Sequence, residues 1–105
     1  MSFTGRDQKQ MLIADVVLRR AARLVPVELP GPELPIALDD INVLVAREAN
    51  LRNLEFLETV GAKASLKGGF WRDLMRACEM LECPARMPPL VSQYRAALQR
   101  VGTNT

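Results

Sequence analysis

Apolar positions along this chain fall into four blocks that keep helical spacing, separated by clusters of proline and glycine. The first block follows Thr4, with Asp7 three positions on in a capping-box-like arrangement. From Arg6 to Leu24 there is no Gly or Pro, and Leu12, Val16, Val17, Ala21 and Leu24 form an apolar stripe. That pattern predicts a helix over about 5–25. Arg19, Arg20 and Arg23 crowd its C-terminal half, where positive charge complements the helix dipole.

The stretch "VPVELPGPELP" then interrupts the pattern, because four prolines with Gly31 cannot continue a helix and the prolines lack the backbone donors a central strand needs. It reads as a stiff crossover over 26–38, ordered where Val27, Leu29 and Leu34 meet apolar surface. As a proline-rich ligand for another domain it lacks the flanking arginine such ligands often carry.

A second helix is expected over about 40–60, capped by Asp39 and Asp40 and closed by Gly61 as a left-handed cap. Its apolar residues divide between two sides. Val45, Ala49, Phe56, Leu57 and Val60 lie on one side, and Val43, Leu44, Leu51 and Leu54 on another. Glu48, Arg52, Glu55 and Thr59 separate them on one flank and Asn50 on the other. A helix with two apolar faces must be covered twice, and in so short a chain a second copy is the expected cover.

The third helix, about 68–83, carries Phe70, Leu74, Ala77, Cys78 and Leu81 in register, preceded by Leu66, with Trp71 and Met75 widening the stripe. Pro84 ends it. The fourth, about 89–101, opens on Pro88 or Pro89 and carries Leu90, Val91, Tyr94, Ala97, Leu98 and Val101, with Gly102 closing it. The expectation is one all-α domain over 1–105, with about four helices and a proline-rich crossover between the first and second.

Composition agrees with that class. The 105 residues suit a single domain. With 49% hydrophobic but only 5% aromatic residues, the core must come mainly from Leu, Val, Ala and Met, a helical mixture. The net charge of +2 is unevenly spread. Arg6, Lys9, Arg19, Arg20 and Arg23 outnumber Asp7 and Asp15 near the start. Glu28, Glu33, Asp39, Asp40, Glu48, Glu55 and Glu58 outnumber Arg47 and Arg52 in the middle, and only Arg86, Arg95 and Arg100 are charged after Pro84. An acidic middle between basic ends suits contacts within or between copies of the chain better than one broad basic face.

The stretch "GAKASLKGGFW", Gly61 to Trp71, invites a chemical reading. It fails as a Walker-type phosphate loop, since its lysines precede the paired glycines and no strand leads into it. As the turn of a helix-turn-helix, Gly61 would be the turn glycine and Lys63, Lys67, Arg72 and Arg76 would face DNA. Leu57 stands where that motif wants a small residue, and Gly68 and Gly69 weaken the start of a recognition helix. A joint between two helices fits better.

Enzymatic chemistry has few carriers. There is no histidine, Ser2, Ser65 and Ser92 sit in no nucleophile elbow, and Cys78 and Cys83 have a spacing of no common zinc or redox motif. They read as reduced thiols of a cytoplasmic protein, in which neither a signal pattern nor a membrane span is discernible. No cofactor or metal is expected. The expected function is non-enzymatic: a small bacterial-type regulator or adaptor that pairs with itself and binds another protein. An anti-activator covering a transcription factor is one concrete form. A small DNA-binding regulator is the alternative, and a secretion or assembly chaperone a further one. The surface expected to carry partner and dimer contacts is Val43, Leu44, Leu51, Leu54, Phe56, Phe70, Trp71 and Met75, although Phe70 and Trp71 read first as core anchors of the third helix.

Overall fold

A computed structural model of the chain describes residues 5–26 and 42–103. The expected caps Thr4, Asp39 and Asp40 and the body of the crossover lie outside the described residues. Within them the chain is all-helical: α1 (Gly5–Ala22), α2 (Val43–Ala64), α3 (Gly68–Met80) and α4 (Met87–Thr103), with a single 3-10 turn at Pro84–Arg86. The described residues contain no strand, and none of their helices is long and apolar enough to cross a membrane.

Helix α3 occupies the centre and packs against α1, α2 and α4. Phe70, Trp71, Leu74, Ala77 and Cys78 are all buried, and the Phe70 and Trp71 rings meet edge to face at 5.1 Å and 85°. That arrangement suits the aromatic quadrupoles. Principal extents of 49 × 27 × 19 Å make the molecule two helix layers thick, so the outer helices keep an outward side.

The inward face of helix α1 keeps Val17 and Ala21 of the expected stripe but is rotated away from Val16 and Leu24. Met11, Ala14, Val17, Leu18, Ala21 and Val25 are buried, whereas Val16 is 62% and Leu24 52% exposed and Leu12 is half-buried. The small side chains of Ala14 and Ala21 allow α1 to pack closely on its neighbours. The outward row Val16–Arg20–Leu24 then carries Arg20, which reaches over to α3. Its Nε donates to Asp73 Oδ2 at 3.1 Å and its terminal nitrogen to Oδ1 at 2.6 Å. This fork on a largely buried carboxylate fixes α1 against α3. Between α1 and α2 the tie is Asn50. It is fully buried, and its Nδ2 donates to the Met11 carbonyl at 3.1 Å. Asn50 thus lies in the core seam rather than on a separating flank.

Gly61 is not a cap. Helix α2 runs through it to Ala64, and the left-handed residue is Ser65, at φ 53. What Gly61 supplies is space: a Cβ there would overlap the Phe70 ring and come within 3.1 Å of Trp71. Gly68 plays the same part between α3 and α4, where a Cβ would meet Leu98 and Tyr94, each at 3.2 Å. At the other end of α2, Asn42 is the cap, its side-chain oxygen accepting from the Val45 N–H at 3.2 Å.

Helix α3 stops at Met80, short of the expected boundary. The Glu82 N–H bonds to the Glu79 carbonyl at 3.1 Å and the Cys83 N–H to the Cys78 carbonyl at 3.2 Å, with Glu82 left-handed at φ 53. These are the two bonds of a Schellman cap, built here without glycine. Arg47 of α2 adds a third contact, donating from Nε to the Leu81 carbonyl at 3.1 Å. Helix α4 starts at Met87, two residues before its expected boundary, with Pro88 and Pro89 in a first turn where no helical N–H bond is needed.

Candidate functional site

The core seam of α2 runs through Val43, Ala46, Ala49, Asn50, Leu54, Leu57 and Gly61. That choice of face leaves every fourth residue on the opposite side, Leu44, Glu48, Arg52 and Phe56, in one exposed ridge. Leu44 is 63% and Phe56 52% exposed, and Val45, 63% exposed, borders the ridge. Glu48 and Arg52, although four residues apart, make no ion pair with each other among the described residues. The ridge therefore reads apolar, acidic, basic, apolar, with its charges unspent.

The residues expected to form a shared surface divide evenly. Leu44 and Phe56 are exposed as expected, and Leu51 and Met75 are half-buried. Val43, Leu54, Phe70 and Trp71 are buried inside the protomer, the last three with no accessible surface. Val43 and Leu54 therefore do not lie on an outer surface, and of the two readings of Phe70 and Trp71 the core anchor is the one the structure has. The missing Cβ at Gly61 leaves room for both aromatic rings against α2. Met75 lines an open depression of about 530 Å³ on α3 with Arg20, Arg72, Asp73, Arg76 and Glu79. Ile13 and Val16 on α1 and Leu24 in the turn after it add exposed apolar surface, Val16 and Leu24 being members of the expected stripe.

The four cations of the DNA-facing alternative, Lys63, Lys67, Arg72 and Arg76, are all exposed. Arg72 and Arg76 make no hydrogen bond or ion pair among the described residues. Helix α3, however, is hemmed by three other helices. A recognition helix must protrude into a groove about 12 Å wide, and α3 offers only the strip Gly69–Arg72–Arg76–Glu79.

The cysteines are closer than their spacing suggests. In the Schellman cap Cys78 and Cys83 hold the two positions whose side chains meet, and their sulfurs lie 3.2 Å apart. The Cys78 thiol donates to the Cys83 carbonyl at 2.9 Å, and the Cys83 thiol faces the Cys78 carbonyl at 3.4 Å. Burial pushes the Cys78 thiol up, with the hydrogen bond and charge of Cys83 adding to it, to about 12. It is therefore a protonated donor at neutral pH and no ready nucleophile. A glycine at position 82 would have marked the cap in the sequence; glutamate gave no such signal.

Arg86, in the 3-10 turn, pairs with Glu55 of α2, so the turn, α2 and the cysteine cap form one corner of the molecule. No group of three or more His, Cys, Asp or Glu side chains gathers among the described residues. In comparisons with known proteins, no family model, no curated protein and no solved structure matches this chain.

Proposed function

We propose that the protein is a non-enzymatic regulator that works by binding polypeptides, first a second copy of itself, through the outward ridge of α2. One observation carries this reading. Leu44, Glu48, Arg52 and Phe56 form a single exposed row with apolar ends and opposite charges at its centre. Such a row is complementary to itself when reversed. An antiparallel pairing about a two-fold axis sets Glu48 against the partner's Arg52 and Leu44 against the partner's Phe56, and both pairs share Asn50 as midpoint. Interlocking of rows four residues apart is the commonest mode of helix packing, and a two-fold contact uses the same patch on both copies.

The magnitudes favour a reversible pair. Covering the exposed part of two leucines and two phenylalanines contributes roughly 4–8 kcal/mol. The loss of rotational and translational freedom offsets part of this, and the two Glu48–Arg52 contacts add to it, which leaves a pair of roughly millimolar strength. A pair of that strength opens readily, which leaves the same ridge available to a different partner. An anti-activator that covers a transcription factor, acting in a bacterial cytoplasm, is the most concrete form of this proposal. A secretion or assembly chaperone would use the same surface.

The test is the mass in solution, by light scattering, of the wild-type chain and of Phe56→Glu. This reading expects a dimer for the first and a monomer for the second. A salt-sensitive shift of DNA, lost with Arg72→Ala and Arg76→Ala, would instead favour nucleic acid as the partner.

A further inference from the structure

Among the described residues, Cys78 and Cys83 form a close pair of free thiols that the proposed binding role leaves unused. Its geometry follows from the backbone. A helix ending in a Schellman cap brings together the side chains at the two positions these cysteines hold, and Glu82 in the left-handed region completes the reversal. The sulfurs are 3.2 Å apart and need to approach by only about 1 Å more to reach a disulfide bond length. They differ in access: Cys78 is 1% exposed, whereas Cys83, just before the 3-10 turn, is half-buried.

We propose that Cys78 and Cys83 are a thiol-disulfide exchange site, oxidised reversibly by a small-molecule or protein disulfide to an intramolecular bond that staples the end of α3 to the following turn. The two thiols have separate roles. Cys83, the accessible one, loses its proton to solvent, and its thiolate attacks one sulfur of the incoming disulfide. That S–S bond breaks, one thiolate leaves and takes up a proton, and Cys83 is left in a mixed disulfide. Cys78 then loses its proton and attacks the Cys83 sulfur, expelling the second thiolate, which is protonated in turn. Two protein thiols are oxidised and one external disulfide is reduced to two thiols, so atoms and electrons balance. Burial of Cys78 protects it from the external oxidant and reserves it for the second step.

The experiment titrates the full chain with glutathione disulfide and glutathione and reads intact mass and free thiols. The expected product has lost two hydrogens, has no free thiol, remains a single chain on a non-reducing gel and is restored by dithiothreitol. The equilibrium constant for closure should be roughly tenfold larger for the folded chain than for the chain in urea, because the fold holds the sulfurs together. Cys78→Ser should stop at one stable glutathionyl adduct on Cys83, and Cys83→Ser should react far more slowly. A wild-type chain that keeps a glutathionyl group, cross-links to a second chain or resists oxidation overturns the proposal. So does closure no more favourable folded than in urea, a comparison that needs no variant to fold.

Discussion

The ring of Phe70 occupies the place where any residue but glycine at position 61 would carry its Cβ. This contact between α2 and α3 explains a glycine inside a helix, where it costs about 1 kcal/mol relative to alanine. Gly61→Ala should destabilise the protein by about 1–2 kcal/mol, because displacing a fully buried ring outweighs the gain in helix propensity. Gly69→Ala should do the reverse, gaining up to about 1 kcal/mol, since nothing lies within 4 Å of a Cβ there. Urea midpoints of the two variants check both signs.

The left-handed residues Ser65 and Glu82 are both exposed non-glycines at φ 53. Glycine relieves that strain but adds freedom to the unfolded chain. Ser65→Gly and Glu82→Gly should each gain about 0.5–1 kcal/mol, a rise of a few degrees in melting temperature. A fall at either position would show that the local backbone is not left-handed.

Asp73 is largely buried and depends on Arg20, whose own protonation its hydrogen bond and charge strengthen further. Arg20→Ala leaves that carboxylate without its partner and should lower the melting temperature clearly. Arg72→Ala and Arg76→Ala, on the same side of α3 but bonded to nothing described, should leave it within error. Equal melting temperatures for all three would remove the fork from the account.

Raising the Cys78 thiol from its ordinary 9.0 to about 12 makes stability depend on alkaline pH. Below pH 9 the thiol is protonated whether the chain is folded or not, and its contribution is complete. Between pH 9 and about 12 the unfolded chain loses this proton while the folded chain keeps it, so stability falls as pH rises. Melting curves across that range should fall less steeply for Cys78→Ala than for the wild type under reducing conditions. Parallel slopes would count against the buried thiol.

The helix order is legible in the sequence because prolines and glycines punctuate four apolar-periodic blocks. Boundaries moved where local hydrogen bonding decided them, as at Asn42 and at the cap after Met80. The inward face of α1 was not legible. Val16 and Leu24 match helical periodicity as well as Met11 and Leu18 do, and the choice between them rests on how closely α1 packs at Ala14 and Ala21 and on where Asp73 stands. Gly61 misled because its use is the absence of a side chain rather than an unusual backbone angle. Of the expected surface, Leu44 and Phe56 remained outside. Phe70 and Trp71 went inward, because hydrophobicity alone does not separate core from interface.

The central claim is that the α2 ridge pairs with its own copy, and a charge swap tests it most directly. Sedimentation or light scattering at millimolar concentration should give a dimer for the wild type. Glu48→Arg should give a monomer, since like charges then meet at the middle of the pair. Glu48→Arg combined with Arg52→Glu should be dimeric again. A wild-type monomer, or a Glu48→Arg dimer as tight as the wild type, would contradict the account.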